Sequence, residues 1–216
     1  MQIRHLVLGE LGTNTYLLIM EDHSLILIDP AESTPEIPHL IESKHLTLES
    51  IWLTHGHVDH IKGVQPLLDR YHPTLFCHRE EECFLRKPEY NMSMLMGAHL
   101  TINYPVHYWS KPVEEIIIGS GLHVKIIHTP GHTPGGVCYY FEEKAVLFSG
   151  DTLFMGSIGR TDLPGGSFSQ IQSSLDTLKQ ILPDTCRIFP GHGINTVWLS
   201  ERKHNPYLTG DMKEME

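Results

Sequence analysis

The stretch Thr54-His55-Gly56-His57-Val58-Asp59-His60 decides how this chain is read. It sets four side chains able to ligate a metal within six positions, directly after Ser50-Ile51-Trp52-Leu53, a run that reads as a buried strand. In extended backbone, residues two apart point to the same side, so His55 and His57 can converge on one ion. Asp59 and His60 are neighbours and diverge from that pair. If Val58 and Asp59 turn into the amphipathic segment 61–68, they address a second ion beside the first. Gly56 keeps side-chain bulk away from the metals and lets the backbone turn tightly. Independent placement of the chain's 16 His and 9 Asp would produce this pattern roughly 0.004 times, so a His-rich composition does not explain it.

His55-x-His57-x-Asp59-His60 after a strand resembles the signature of the metallo-β-lactamase-fold superfamily of metallohydrolases. Three further pieces belong to that resemblance, and all occur in order. They are His132 in Thr129-Pro130-Gly131-His132-Thr133-Pro134-Gly135-Gly136, Asp151 in Leu147-Phe148-Ser149-Gly150-Asp151, and His192 in Phe189-Pro190-Gly191-His192-Gly193. The resemblance covers nearly the whole chain. It implies an α/β fold, an αββα sandwich of the metallo-β-lactamase type, with the metals at one edge of two sheets. It also implies a ligand set: His55, His57 and His132 on one ion, Asp59, His60 and His192 on the other, Asp151 bridging. Imidazole and carboxylate donors suit two divalent ions, Zn first, with Fe or Mn as alternatives. Such a pair lowers the pKa of a shared water towards neutrality for attack on an electrophilic carbonyl. The resemblance thereby implies Asp151 and Asp59 as the catalytic carboxylates, with Asp59 placed to steer the released proton.

Within the superfamily, Asp151 together with His60 is unlike the β-lactamases that place Cys in the second site. It resembles glyoxalase II (hydroxyacylglutathione hydrolase), which hydrolyses thioesters. The run from Gly150 to Gly166 and the ending Glu201-Arg202-Lys203-His204-Asn205-Pro206-Tyr207-Leu208 look like small bacterial members of that branch. Arg160 sits near where the branch keeps a cation for a glutathione carboxylate; the alternative is a salt bridge with Asp162 that fixes the loop. Two departures weigh against glutathione more than against thioester hydrolysis. No C-terminal helical region like that of full-length glyoxalase II follows before Glu216, and Gly159-Arg160-Thr161-Asp162 replaces the branch's Lys-aromatic substrate loop. The same Gly-Arg-Thr-Asp resembles persulfide dioxygenases, in which one iron would be held by His55, His132 and Asp151. The expected partner is a small thioester, with a glutathione conjugate as one form; oligomeric state is left open.

Length and composition agree with one domain over 1–216. Hydrophobic residues make up 40% of 216 and charged residues 19%, enough for a sizeable core. A net charge of −10 without a Lys/Arg cluster argues against nucleic acid. No apolar run approaches the roughly 20 residues that span a bilayer, and the N-terminus shows no secretory pattern. Cys77, Cys83, Cys138 and Cys186 lack any paired spacing and read as free thiols, which suits the cytoplasm.

In order, strands are expected at 2–8, 13–20 and 24–28, a helix at 34–44, the strand before the motif and a helix on to about 70. Asp29 is either a turn cap or an acceptor that orients a metal-bound His. A strand follows at 72–77, then a helix start whose run Arg79-Glu80-Glu81-Glu82 reads as a solvated face. Residues 87–104, with Met92, Met94 and Met96, are irregular: core filler or a mobile flap over a substrate pocket. His99 and His107 read as surface or packing residues, and His128 as structural. Hairpins are expected at 114–118/122–128 across Gly119-Ser120-Gly121, and at 137–141/145–149. A helix at 167–182 and a strand at 186–189 complete two sheets covered by helices.

Overall fold

In the computed structural model, which describes residues 1–119 and 121–210, the chain divides into two compact units, Met1–Ser110 and Lys111 onward. The first begins with β1 (Gln2–Leu8), β2 (Thr13–Ile19) and β3 (Ser24–Ile28), an antiparallel meander. After α1 (Glu36–Ser43) the chain changes habit: β4 (Thr47–Trp52), β5 (Thr74–His78) and β6 (Val106–Trp109) extend the sheet in parallel, giving the order β1-β2-β3-β4-β5-β6. Parallel neighbours need crossovers. They are supplied by α1, by α2 (Val58–Ile61) with α3 (Val64–Tyr71), and by α4 (Glu82–Arg86). Ile37 and Ile41 of α1, Ile61 of α2, Leu67 and Leu68 of α3 and Leu85 of α4 bury against Leu17, Leu27, Ile51 and Leu75 of the sheet. At the carboxyl ends, Ile28 registers with Trp52 and Trp52 with Phe76, so the loops after β3 and β4 start side by side.

The expected single helix beyond the motif is two helices. Gly63 donates its N–H to Pro30 O at 2.9 Å, out of the helical ladder, and the axis breaks there. The irregular span after α4 holds one 3₁₀ turn, Ser93–Met96, and then β6, which four residues of Val-His-Tyr-Trp announce too briefly for alternation to register.

The second unit has β7 (Val113–Ile118), β8 (Leu122–His128), β9 (Val137–Phe141) and β10 (Val146–Gly150) as antiparallel neighbours. Ser120 of the expected first hairpin turn lies outside the described residues. A two-stranded hairpin, β11 (Leu153–Phe154) and β12 (Ser157–Ile158), precedes α5 (Phe168–Ile181), which returns the chain to β13 (Arg187–Pro190), parallel to β10. β14 (Thr196–Val197), α6 (Trp198–His204) and α7 (Pro206–Thr209) close the chain, and the sheet runs β14-β13-β10-β9-β8-β7. Ser167 caps α5 by accepting from Gln170 N. Ile171, Leu175 and Leu178, spaced by four and three, bury with Leu147, Ile188 and Trp198. The hairpin and the closing helices escape a periodicity reading because a polar residue anchors them. Buried Glu201 accepts from Gly156 N at 2.8 Å, Thr196 Oγ1 at 2.6 Å and Asn205 Nδ2 at 2.9 Å.

The four cysteines are free thiols; Cys83 is exposed and the others are buried. Burial pushes the Cys138 thiol up to about 11 and Cys186 to about 12, and raises Cys77 well above its ordinary value. Native protein treated with iodoacetamide at pH 8 is therefore expected to take one label, at Cys83, whereas protein in denaturant takes four; mass spectrometry of the two samples checks it. Among the described residues no helix is long and apolar enough to cross a membrane.

Candidate metal centre

Every sequence-expected ligand stands in a segment that follows the carboxyl end of a strand; except for β8 these strands have a parallel neighbour, the arrangement that leaves such loops free for chemistry. In the first unit, β4 delivers His55, His57, Asp59 and His60, and β3 delivers Asp29. Asp29 is buried with φ +48°, and its amide donates to Trp52 O at 3.1 Å. Its Oδ1 accepts Thr54 N at 2.8 Å; its Oδ2 accepts Thr54 Oγ1 at 2.6 Å and faces His60 Nδ1 at 2.9 Å. A carboxylate only accepts, so the His60 proton lies on Nδ1 and its Nε2 lone pair faces Asp59 Oδ2, 3.5 Å away. Thr54 spends its proton on Asp29, so its oxygen accepts from His55 Nδ1 at 3.1 Å, which leaves the His55 Nε2 lone pair for a ligand. Thr13 Oγ1 holds Asp59 Oδ2 at 2.9 Å.

The rings of His55 and His57 meet at right angles with centroids 4.8 Å apart, as extended backbone dictates. His60 does not turn away as far as neighbouring positions suggest: its ring lies 4.1 Å from that of His55, because Asp29 draws it back towards β3. Asp29→Ala would strand the Thr54 and His60 donors in a dry site. We expect it to lower unfolding free energy by about 3 kcal/mol and metal affinity about 10–100-fold, measured by urea titration and by competition with a chromogenic chelator.

One residue that positions the motif is not read from the sequence as such. Glu81 is fully buried, not part of a solvated face, and its Oε2 accepts the N–H of Gly56, between the two histidines, at 2.8 Å. A Cβ on Gly56 would come 2.5 Å from Phe84 Cβ. Asn91 completes this brace: its carbonyl accepts Val58 N at 2.8 Å, and its amide donates to Phe84 O at 2.8 Å and Leu100 O at 2.9 Å. The signal available was position: Glu81 precedes Phe84 and Leu85 by three and four residues and so shares their inward face.

In the second unit, His132 follows β8, Asp151 follows β10 and His192 follows β13. Gly191 N donates to Gly150 O at 2.8 Å, fastening the last two loops. His132 Nδ1 lies 2.8 Å from Arg160 O, an acceptor only, so this nitrogen carries the proton. His132 Nε2 and His192 Nε2 each lie 3.5 Å from the same Asp151 oxygen, Oδ2. Arg160 uses its guanidinium on Asp162, at 2.8 and 2.7 Å, and the pair holds the Asp162 carboxyl down at about 2. This is the loop-fixing alternative; both side chains are exposed. His128 faces Pro134 O at 2.8 Å and braces the His132 turn.

Within each unit, then, an imidazole nitrogen with its lone pair turned inward faces a carboxylate oxygen at 3.5 Å. Two electron-rich atoms held at that spacing suit a cation that binds both. The donor set, histidine nitrogen plus carboxylate with no thiolate, fits a borderline divalent ion.

Residues 8–192 match the family model described as the metallo-beta-lactamase superfamily, and the chain belongs to that superfamily. It is a metallo-hydrolase of that class, and the α/β fold is shared with solved members. It is 35% identical over 217 residues to the "Probable metallo-hydrolase YqgX" of Bacillus subtilis, covering 97% of this chain and 99% of that one. It is 32% identical over 195 residues to "Hydroxyacylglutathione hydrolase GloC" of Haemophilus influenzae, covering 90% and 92%. Among solved structures, BLEG-1 B3 metallo-beta-lactamase superposes with a TM-score of 0.90 at 36% identity, over 97% of this chain and all of that one. TTHA1623, solved in a di-iron-bound form, does so with a TM-score of 0.84 at 31% identity, over 95% of this chain and all of that one.

Proposed function

We propose that the chain is a dinuclear metal-dependent thioester hydrolase of the glyoxalase II type, acting on a small cytoplasmic substrate such as S-lactoylglutathione. His55, His57 and His132 would hold one ion and Asp59, His60 and His192 the other, with Asp151 between them. The observation that carries this reading is the pair of inward-facing carboxylates, Asp59 and Asp151, each set 3.5 Å from a histidine Nε2 whose Nδ1 proton is committed elsewhere, that of His60 to Asp29 and that of His132 to Arg160 O. The likeness to the hydroxyacylglutathione hydrolase supports the thioester, and the di-iron neighbour supports two ions. When bound, the ions supply Lewis acidity and make water acidic enough to attack near neutral pH.

The protein's own residues do the rest. Asp29, through Thr54 and His60, fixes both imidazole tautomers so that Nε2 is the donor atom. Thr13 holds one oxygen of Asp59 and aims its carboxylate, which takes up the proton that the attacking water sheds. In the net reaction the acyl carbon–sulfur bond breaks, water oxygen joins the acyl carbon, and the thiolate leaves to gain the proton.

The test is metal content on protein purified without chelator, paired with turnover of S-lactoylglutathione and of a chromogenic cephalosporin, the counter-substrate raised by the lactamase neighbour. About two Zn or Fe per chain with thioester turnover alone is the expected result. One iron per chain with oxygen uptake on glutathione persulfide, or cephalosporin turnover without thioester turnover, would overturn the reading.

A further inference from the structure

A cleft of about 280 Å³ opens on the first unit against the helix that carries the motif. Val58, which opens α2, and Lys62, the residue after its end, form one side; Met96, Ala98 and Leu100 form the other, with Glu10 and His99 also lining it. Val58 stands between His57 and Asp59 in the sequence, so one side of the cleft is built on the segment that carries two metal-ligand candidates. The opposite wall is built, not draped. Ser93 is fully buried; its carbonyl accepts Ala98 N at 2.9 Å and its hydroxyl accepts Leu100 N at 3.1 Å. Asn91, also fully buried, joins that wall to α2 through Val58 N.

We propose that this cleft receives the acyl group of the substrate and selects for short apolar acyl chains; the proposal rests on the thioester reading above. The argument is chemical. Common thiol carriers are anionic, with carboxylates or phosphates, and would need a cation here. The lysine at the rim is already committed, Lys62 Nζ to Glu32 at 2.5 Å, and Glu10 adds a negative charge that repels them. Apart from His99, the lining that remains, Val58, Met96, Ala98 and Leu100, is apolar, and with an anionic carrier kept out by charge the acyl group is the part of a thioester left to occupy it. Met96 is unbranched and polarisable, which lets one wall fit acyl groups of different length.

The test uses N-acetylcysteamine thioesters, whose carrier is uncharged, with acetyl, butyryl and hexanoyl groups on metal-loaded enzyme. Each buried methylene should raise kcat/KM about fourfold until the cleft is full, so hexanoyl should exceed acetyl by about tenfold or more. Ala98 is exposed, so Ala98→Trp fills the cleft without disturbing the core, and it should bring the hexanoyl-to-acetyl ratio to within about twofold. Turnover with a flat acyl profile overturns the cleft and leaves the thioester reading standing. No turnover of any thioester overturns that reading instead. A non-hydrolysable probe, the S-hexyl thioether of N-acetylcysteamine, then judges the cleft by itself. A shift of the Met96 ε-methyl resonance larger than that of Met20, lost in Ala98→Trp, supports it, and no such shift overturns it.

Discussion

Asp151→Ala is expected to purify folded, to hold fewer than two metal ions per chain and to lose thioester kcat/KM by about 10³-fold or more, since loss of groups that merely support ligands already costs 10–100-fold. The reason lies in two short separations. His132 Nε2 and His192 Nε2 both face one oxygen of this side chain at 3.5 Å. Deleting the carboxylate leaves two imidazoles side by side and removes one of the two negative charges that would balance bound cations. The apo fold should not suffer, because the substitution removes a buried charge and creates only a small cavity. Thermal melting of the chelated protein, metal analysis and initial rates separate these effects. Wild-type turnover in Asp151→Ala would sink the dinuclear mechanism.

Gly159→Ala is expected to be worse for the fold and nearly as bad for activity. The Cβ would stand 1.9 Å from Asp151 O and 3.0 Å from His132 Nδ1. Neither neighbour can retreat cheaply, since one is backbone and the other is held by Arg160 O, itself the next residue's carbonyl. The loop must therefore move, and His132 loses the hydrogen bond that sets its tautomer. A cost of about 3 kcal/mol is expected from overpacking of this kind, with metal affinity falling about 10–100-fold. Urea titration and metal competition check the two; a variant with wild-type values in both would show that the loop is not braced as described.

These two residues illustrate what a sequence can and cannot disclose here. The histidines and aspartates were legible because their chemistry is rare and their spacing improbable. The strands were legible because apolar alternation and turn residues mark them. Gly159 stood out as part of a motif read for Arg160, as a substrate cation or a loop-fixing partner of Asp162, yet its own contribution is the space it leaves beside Asp151. Glu81 looked like one of three surface glutamates, because a run of like residues hides which one faces inward. β11, β12 and β14, at two residues each, are too short for any period, and α6 is fixed by the hydrogen bonds of Glu201 more than by an apolar stripe. The helix break at Gly63 depends on Pro30, 33 positions away, a distance no local pattern spans.

The Met-rich turn hangs from two buried hooks, Asn91 and Ser93, and rejoins the body at Leu100. Leu95 at its tip is 80% exposed, and the bond that reaches the motif helix, Val58 N to Asn91 O, comes from outside the tip. On the proposed acyl-cleft reading, residues 94–99 are an exchangeable cassette: replacing them retunes the substrate while the bond that holds the motif helix stays in place.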